Sequence, residues 1–245
     1  MPDWLIHLVR LTVFSTEVIA PSEKFWMLAT GEHEAENRTS VGGGKQYSGH
    51  DFGGLVQVGI VGNRLDLLLF VDPEVAQPGI APTVGPANVL LPEFERLARQ
   101  LLSGLEFPVN RIAFGGQFFL VANSRQESYE QIVGLAKSIS IDPNRAREMI
   151  FRINWPLDSQ VVADLTLNRL TTLSSLIFGQ VMLQHLVRQV SVVPASNDMV
   201  HVTSLETDHN TPAEHTGPFE KEQLIPIFEE LFRLNSENLI SGEVR

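Results

Sequence analysis

The chain has 245 residues, a net charge of −11 and no cysteine, and 43% of its residues are hydrophobic. A chain of this length and composition can bury a sizeable core. The lack of cysteine excludes disulfides, thiol nucleophiles and cysteine-based zinc sites. The sequence contains no run of about 18 uncharged apolar residues, so it predicts no membrane span. Met1–Arg10 lacks a basic start and a long apolar stretch, so we expect no signal peptide and a cytoplasmic, bacterial protein.

The first half of the chain predicts strands, loops and two helices. Gly62-Asn63 is typical of a two-residue hairpin turn because it separates two runs rich in apolar residues, and Pro92 is expected to begin a helix. The predicted elements, in chain order, are a strand over Leu5–Phe14, a short helix that ends at Gly31, a glycine-rich loop over 32–54, hairpin strands over 55–61 and 64–71, a proline-rich loop over 72–88 and a helix over 92–104.

The second half predicts more strands and a long final helix. Gly115-Gly116 interrupts the first of these strands and predicts a β-bulge, while Ser124 and Glu127 form a capping-box pattern at the start of a helix. The predicted strands cover Arg111–Val121, Met149–Trp155, Leu165–Ile177, Val181–Val193 and Val200–Thr207. The final helix carries apolar residues from Leu224 to Leu239, and Pro226 predicts that it begins nearby or kinks there.

This order of elements predicts the fold class. Hairpins and meanders dominate, which favours an α+β fold with a mostly antiparallel sheet and amphipathic helices packed on one face. We expect a single α+β unit over 1–245. The halves 1–104 and 105–245 each open with a strand and a helix and each end in an amphipathic helix, which suggests two loosely similar halves.

One acidic and histidine-rich stretch, residues 201–215, is a candidate metal site. Imidazole and carboxylate ligands suit zinc, manganese or iron, and a metal-bound water could act as a nucleophile. The candidate ligands are His201, Glu206, Asp208, His209 and His215, with Glu206 as the base. The parity of a strand would separate His201 from Glu206 and Asp208, so the alternative interpretation is the end of a strand followed by a capped turn.

Two polar features lie in the region predicted as a loop. Gly42-Gly43-Gly44-Lys45 is similar to a phosphate-binding loop, but Thr39 and Gln46 stand where that motif requires glycine and serine or threonine. A flexible surface loop is therefore the expected structure. The same region holds a polar group that could supply acid and base pairs, consisting of Glu32, His33, Glu34, Glu36, His50 and Asp51.

Basic residues concentrate in the middle of the chain. Residues 96–152 contain 8 basic and 5 acidic residues, a local net charge of +3 within an acidic chain. A clustered basic face would be the electrostatic footprint of a nucleic-acid binder, whereas solvated or salt-bridged surface arginines are the alternative. The arginines concerned are Arg96, Arg99, Arg111, Arg125, Arg145, Arg147 and Arg152.

Two short motifs carry a resemblance to a known family. Residues 110–114 read Asn-Arg-Ile-Ala-Phe, and residues 206–211 read Glu-Thr-Asp-His-Asn-Thr. With this layout, the chain resembles a family of uncharacterised, sporadically distributed bacterial proteins of about this length. That family carries an Arg-Ile-Gly-like step before a middle helix and an Asp-x-Asn-Thr-like step before the last helix. Ala113 stands where the family prefers glycine. The resemblance implies a mobile or defence-linked genetic setting and no particular activity.

The sequence favours an interaction protein over an enzyme. Apolar strands and amphipathic helices are abundant, while no nucleophile elbow, zinc-protease or dinucleotide motif is present. We therefore expect a non-catalytic subunit that binds another protein or itself, without a cofactor. The alternatives are a metal-dependent hydrolase that uses the 201–215 cluster, and a nucleic-acid-binding subunit that uses the Arg96–Arg152 region.

Overall fold

The fold is that of a computed structural model, which describes residues 2–31, 34–75, 77, 79–137, 140–179, 181–186, 189–194 and 199–242. Within 181–194 only the backbone is described. The first half contains the strands β1 (Leu5–Ser15), β2 (Asn37–Val41), β3 (Gly44–Asp51), β4 (Gly54–Val61), β5 (Arg64–Phe70) and β6 (Gly85–Pro86), with the helices α1 (Lys24–Thr30) and α2 (Ala87–Ser103).

The second half contains the strands β7 (Val109–Ala122), β8 (Ile150–Asn154), β9 (Leu157–Asp158), β10 (Thr166–Phe178), β11 (Val181–Leu186), β12 (Gln189–Pro194) and β13 (Val200–Asn210). Its helices are α3 (Arg125–Leu135) and α4 (Lys221–Ser241). None of the helices in the described part of the chain combines the length and apolarity that crossing a bilayer requires.

The strands form one large antiparallel sheet, with the order β2-β3-β4-β5-β1-β7-β13-β10-β8. The short strands β6 and β9 pair with β1 and β10, and β11 and β12 pair with each other as a separate hairpin. The predicted α+β fold with a mostly antiparallel sheet is confirmed. The strands β2, β3, β4 and β5 pair in sequence through short connections, as is usual for antiparallel sheets. The pairings of β1 with β5 and β7, and of β7 with β13, join strands that are distant in the sequence.

The order of strands repeats on the two sides of the central pair, β1 and β7. Moving outward, β1 is followed by β5, β4 and β3, while β7 is followed by β13, β10 and β8. The closing helices α2 and α4 also share the pattern Leu-x-Pro-x-Phe-Glu-x-Leu-x-Arg, which starts at Leu90 in one and Leu224 in the other. A common origin of the two halves stays a prediction, but the topology and this motif agree with it.

The four helices of the described residues pack on one face of the sheet and cover the main core. Phe114, in the middle of β7, lies at the centre of an aromatic group. Its ring centroid is 6.1 Å from that of Phe94 in α2, 5.5 Å from that of Phe228 in α4 and 5.3 Å from that of Phe232. Both closing helices therefore contact the central strand, and Arg99 of α2 also forms an ion pair with Glu229 of α4.

The region 32–54 differs from the prediction of a loop, because β2 and β3 form a hairpin there. Its turn is Gly42-Gly43, where both glycines have positive φ angles of 55° and 81°. Tyr47 is buried from the middle of β3. The two strands contain few apolar residues, since β2 is an exposed edge strand. Hydrophobic periodicity therefore did not predict them.

Both long helices begin five residues before their prolines. Pro92 is the sixth residue of α2 rather than the first, as predicted, and Pro226 is the sixth residue of α4, near its start. Leu90 and Leu91, which precede Pro92, are buried, and burial of their side chains favours the extra turn although a proline there removes one backbone hydrogen bond. At α3, Ser124 accepts a hydrogen bond from the Glu127 amide as predicted, while the Glu127 carboxylate accepts from the Asn123 amide instead of that of Ser124.

Replacement of Phe114 by alanine tests the role of the central aromatic group. Phe114 is fully buried between both closing helices, so Phe114→Ala should lower the free energy of unfolding by about 3–5 kcal/mol. Val121→Ala is the control, since Val121 lies on the same strand and is 52% exposed; its effect should stay within about 0.5 kcal/mol. Urea denaturation measures both values, and a similar loss in the two variants would contradict this assignment of the core.

Candidate functional site: the helix-free face of the sheet

The face of the sheet opposite the helices carries a layer of half-exposed side chains. Successive residues of a strand point to opposite faces, so Val9, Leu11 and Val13 of β1 are buried under the helices while Arg10 lies on the other side. We call this second side the free face. Its central row crosses seven strands in register and consists of Gln57, Leu68, Arg10, Gly115, Asp208, Leu170 and Asn154.

A loop covers one end of the free face. Ala81, from the proline-rich segment after β5, packs on Phe119 and Val202 and forms a second, smaller hydrophobic cluster with them. His7 Nδ1 lies 2.6 Å from the Pro82 carbonyl oxygen, and the His7 ring stacks on Phe119. Because this cover ends near His7, the central row around Gly115 remains open.

A depression of about 130 Å³ lies at the centre of the free face. Its floor is Gly115 and Gly116 of β7, its β1 wall includes Leu8 and Arg10, and its opposite wall, on β13, includes the carboxylates at 206 and 208. The register of β7 with both neighbours is continuous through the two glycines. The predicted bulge at Gly115-Gly116 is therefore wrong, and the register of this pairing shifts between Ile6 and Leu8 and between Phe14 and Ser15 on β1.

Close backbone approach explains why glycine occupies this floor. A Cβ atom at Gly115 would lie 2.0 Å from the Thr207 carbonyl oxygen, and one at Gly116 would lie 2.6 Å from the Leu8 carbonyl oxygen. Both separations are far below van der Waals contact, so any larger residue would push the strands apart. The glycines thus create the depression and keep β7 within pairing distance of β1 and β13.

The two walls of the depression carry opposite charge. Arg10 stands on one side, Glu206 and Asp208 stand on the other, and the glycine floor separates them. Within the described part of the chain, Arg10 has no carboxylate partner within 4.0 Å. Asp208 accepts one hydrogen bond, from the Asn210 side-chain amide at 3.1 Å. The depression therefore presents a guanidinium and two carboxylates that a ligand or partner can pair.

An apolar hollow adjoins the depression and shares Leu8 with it. It measures about 370 Å³ and is lined by His7, Leu8, Gln57, Leu68, Phe70, Val71 and Pro73. Leu68 and Phe70 are half-buried on the free face of β5. Charged and apolar groups therefore lie side by side on the free face.

The five candidate metal ligands do not come together. His201 and His209 lie on the helix side of β13, Glu206 and Asp208 lie on the free face, and His215 stacks on Phe219 beyond the strand at 4.4 Å. Among the residues that the structure describes, no three histidine, aspartate or glutamate side chains are grouped so as to hold a metal ion. Strand alternation separates these residues, as the alternative interpretation of this stretch predicts.

His209 instead belongs to a buried polar group beneath α4. Its Nε2 lies 3.3 Å from the Asn238 amide nitrogen, which also donates to the Thr171 hydroxyl at 2.8 Å. Burial, with the nearby positive charge of Arg169, lowers the pKa of His209 to about 3. Asn235 accepts from the Thr207 hydroxyl in the same layer. A neutral His209 therefore helps to orient α4 on β10 and β13.

The seven candidate arginines occupy separate parts of the surface. Arg96 and Arg99 form ion pairs on α2, and Arg111 donates to Asn210 and lies over the Phe14 ring on the free face. The other four lie elsewhere, Arg125 on α3, Arg145 and Arg147 in the connection before β8, and Arg152 on β8. These arginines are close in sequence but do not form one basic face, because β13 and β10 lie between β7 and β8 in the sheet.

Part of the polar group predicted near residue 50 is brought together. His50 Nδ1 lies 2.8 Å from a Glu36 carboxylate oxygen, and His50 Nε2 lies 2.9 Å from one of Asp72. These hydrogen bonds raise the pKa of His50 and lower those of Glu36 and Asp72. Glu34 binds Arg38 instead, Asp51 accepts from the Phe52 amide, and Glu32 and His33 lie outside the described residues. Since both ring nitrogens of His50 are engaged, its arrangement suits an electrostatic clasp rather than a general base.

Lys45 is exposed on β3, after the turn of the β2–β3 hairpin. A phosphate-binding loop joins a strand to a helix, whereas Gly44 pairs with Val41 across this hairpin. This segment therefore resembles the phosphate-binding motif in sequence but not in structure.

The sequence marked the 201–215 stretch but missed the other wall of the depression. Arg10 is a lone cation in the middle of an apolar strand, on the face opposite Val9 and Leu11, and that position was the available signal. Comparisons of the chain with protein-family models, with curated proteins and with solved structures give no match. The candidate site therefore rests on the geometry of this chain.

Substitution of Gly115 tests whether close packing makes the depression. Gly115→Ala should lower the free energy of unfolding by about 1–3 kcal/mol, because its Cβ would meet the Thr207 carbonyl oxygen. The matched control is Gly134→Ala in α3, where a Cβ meets nothing within 4 Å and should raise stability by about 0.5–1 kcal/mol. Opposite signs in urea denaturation are expected, and a neutral Gly115→Ala would refute the tight floor.

The pKa of His50 tests the clasp. Its raised folded-state pKa means that its stabilising contribution is full below the unfolded pKa and is lost as pH rises through the folded value. The contributions of Glu36 and Asp72 are present above their unfolded pKa values and are lost as pH falls through the lowered folded ones. NMR titration should place the pKa of His50 above the ordinary value of about 6.5, and Asp72→Asn should bring it down. An unchanged pKa in that variant would contradict the clasp.

Proposed function

We propose that this protein is a non-catalytic interaction or assembly subunit, and that the free face of its sheet binds another protein chain. The observation that carries the proposal is the central depression, where Arg10 and two carboxylates face each other without pairing. The defence-linked setting implied by the family resemblance stays a prediction.

The composition of the free face supports a protein partner. Leu68 and Leu170 flank the charged residues of the central row, and each is half-exposed. Protein interfaces combine an apolar centre with hydrogen-bonding and charged groups that are paired on association. A free face that combines leucines with unpaired charges suits such a surface.

The environments of His209 and His50 favour binding over catalysis. A general base needs a basic nitrogen that can reach a substrate proton. His209 is fully buried, and both ring nitrogens of His50 are bonded to carboxylates. The dispersion of the arginines and the net charge of −11 likewise favour a protein partner over nucleic acid.

Site-specific photo-crosslinking in the native cells tests the proposal. A photoreactive amino acid at Leu170, on the central row of the free face, should give a defined covalent product with another protein chain, either a different protein or a second copy. The same group at Gln100, which is exposed on α2, is the matched control and should give none.

The outcome at the two positions separates the alternatives. Crosslinking at Gln100 but not at Leu170 would place the interface on the helix layer and would overturn the assignment of the free face. Crosslinking to nucleic acid from Leu170 would overturn the choice of partner. Both results are read directly from the mass of the product.

A further inference from the structure

We infer that the partner bound by the free face is a second copy of this chain, in a two-fold dimer whose axis runs parallel to β7. This inference rests on the proposed function, because it names the occupant of the same face. The argument is the self-complementarity of the central row.

The central row is nearly symmetric about Gly115. On one side of Gly115 stand Arg10, then Leu68, then Gln57, and on the other side stand Asp208, then Leu170, then Asn154. Each position therefore has a counterpart at the same number of strands from β7. The counterparts are a cation with an anion, a leucine with a leucine, and an amide with an amide.

A two-fold axis parallel to β7 brings these counterparts face to face. Such an axis lies between two facing sheets. It places each strand of one copy opposite a strand of the other copy that is equally far from β7 but on the opposite side of β7. Arg10 of one copy then meets the partner subunit's Asp208, and the reciprocal pair forms at the same time, as in any isologous interface. Leu68 meets the partner subunit's Leu170.

The next row of the free face is already paired within each copy. It consists of Asp66, Thr12, Ala113, Asn210 and Asn168, with Ala113 on β7. Thr12 and Asn210 are buried, Thr12 donates to Asp66, and Asn168 and Arg111 donate to Asn210. The polar contacts inferred for the dimer therefore lie in the central row.

The depression supplies room for the charged contact. Facing sheets pack about 10 Å apart, and the glycine floor leaves a hollow beside Glu206 and Asp208. The Arg10 side chain of the other copy can enter this hollow from above. An axis parallel to β7 aligns the two central strands, and the crossing of about 30° that is usual for aligned sheets tilts the axis by about 15° from β7. This tilt displaces the outer strands but leaves contacts one strand from the axis nearly in register.

The size of the open surface is sufficient for a dimer. Seven strands at about 4.8 Å spacing span roughly 29 Å, and four rows of side chains span about 20 Å along the strands. The surface available on each copy is then roughly 600 Å², or about 1,200 Å² in total, which is the lower bound of a standard interface. The net charge of −11 on each copy opposes association, so about 0.15 M salt, with a Debye length of about 8 Å, is the appropriate condition.

A charge-exchange experiment tests the inference. Arg10→Glu alone puts two carboxylates opposite each other in both contacts, and Asp208→Arg alone puts two guanidinium groups there. Each variant should weaken self-association by at least about 10-fold, because like charges across an interface repel. An equimolar mixture of the two variants should associate within about 3-fold of the unmodified protein, because both contacts of the mixed dimer again join opposite charges. Analytical ultracentrifugation measures the dissociation constant of each dimer. Arg96→Glu on α2 is the control and should leave the dissociation constant unchanged.

A second measurement locates the axis. The chain has no cysteine, so Gln117→Cys, on the free face of β7, introduces a single thiol beside the axis. Thiols on sheets about 10 Å apart are too distant for a disulfide, so the probe is a bis-maleimide with a span of roughly 8–10 Å. It should convert this variant to a covalently linked dimer, while Gln100→Cys on α2 should stay mostly monomeric. Thermal melting of each variant confirms that it is folded.

The possible failures are distinct. An unmodified protein that stays monomeric at about 200 μM, a concentration at which micromolar self-association is complete, would overturn the second copy as partner. A heterologous crosslink from Leu170 would then still support the proposed function. A dimer that is insensitive to both charge reversals, or whose Gln117→Cys form is not linked by the bis-maleimide, would overturn the axis inferred here.

Discussion

Backbone pairing between β1 and β7 is the constraint on which the rest of the structure depends. It joins two sets of strands into one continuous antiparallel sheet, and the two-residue alternation of every strand then assigns each side chain to the helix layer or to the free face. Because Gly115 and Gly116 leave no Cβ between β1 and β13, the three central strands can pair closely. The same two glycines create the depression, so the strand pairing that stabilises the core also shapes the candidate site.

Many of the elements could be predicted because their local signals agree with their environment. The turn at Gly62-Asn63 and the cap at Ser124 are set by neighbouring residues, and both are where the sequence places them. The β2–β3 hairpin could not be predicted from hydrophobic periodicity because β2 is an exposed edge strand. The start of α2 was placed too late because tertiary packing outweighs the cost of a proline within the first two turns.

The candidate site was harder to predict than the fold because it depends on the order of strands. Asp208 and Arg10 are 198 positions apart in the sequence, and only the placement of β7 between their strands brings them to the same depression. The opposite error arose in the 201–215 stretch, where neighbours in sequence point to opposite faces of β13. His209 is consequently part of the layer beneath α4, where a charged imidazole would be strongly disfavoured by burial.

The self-complementary row is centred on β7 and does not follow from the repeated topology. In the repeat, β1 corresponds to β7 and β5 to β13, so Leu68 and Asp208 are the corresponding residues, and they differ in chemistry. About β7, by contrast, Leu68 and Leu170 each lie two strands away, and Arg10 and Asp208 each lie one strand away. Like charges at the last two positions would repel across a two-fold axis. The opposite signs of Arg10 and Asp208 are therefore what allows this surface to pair with itself.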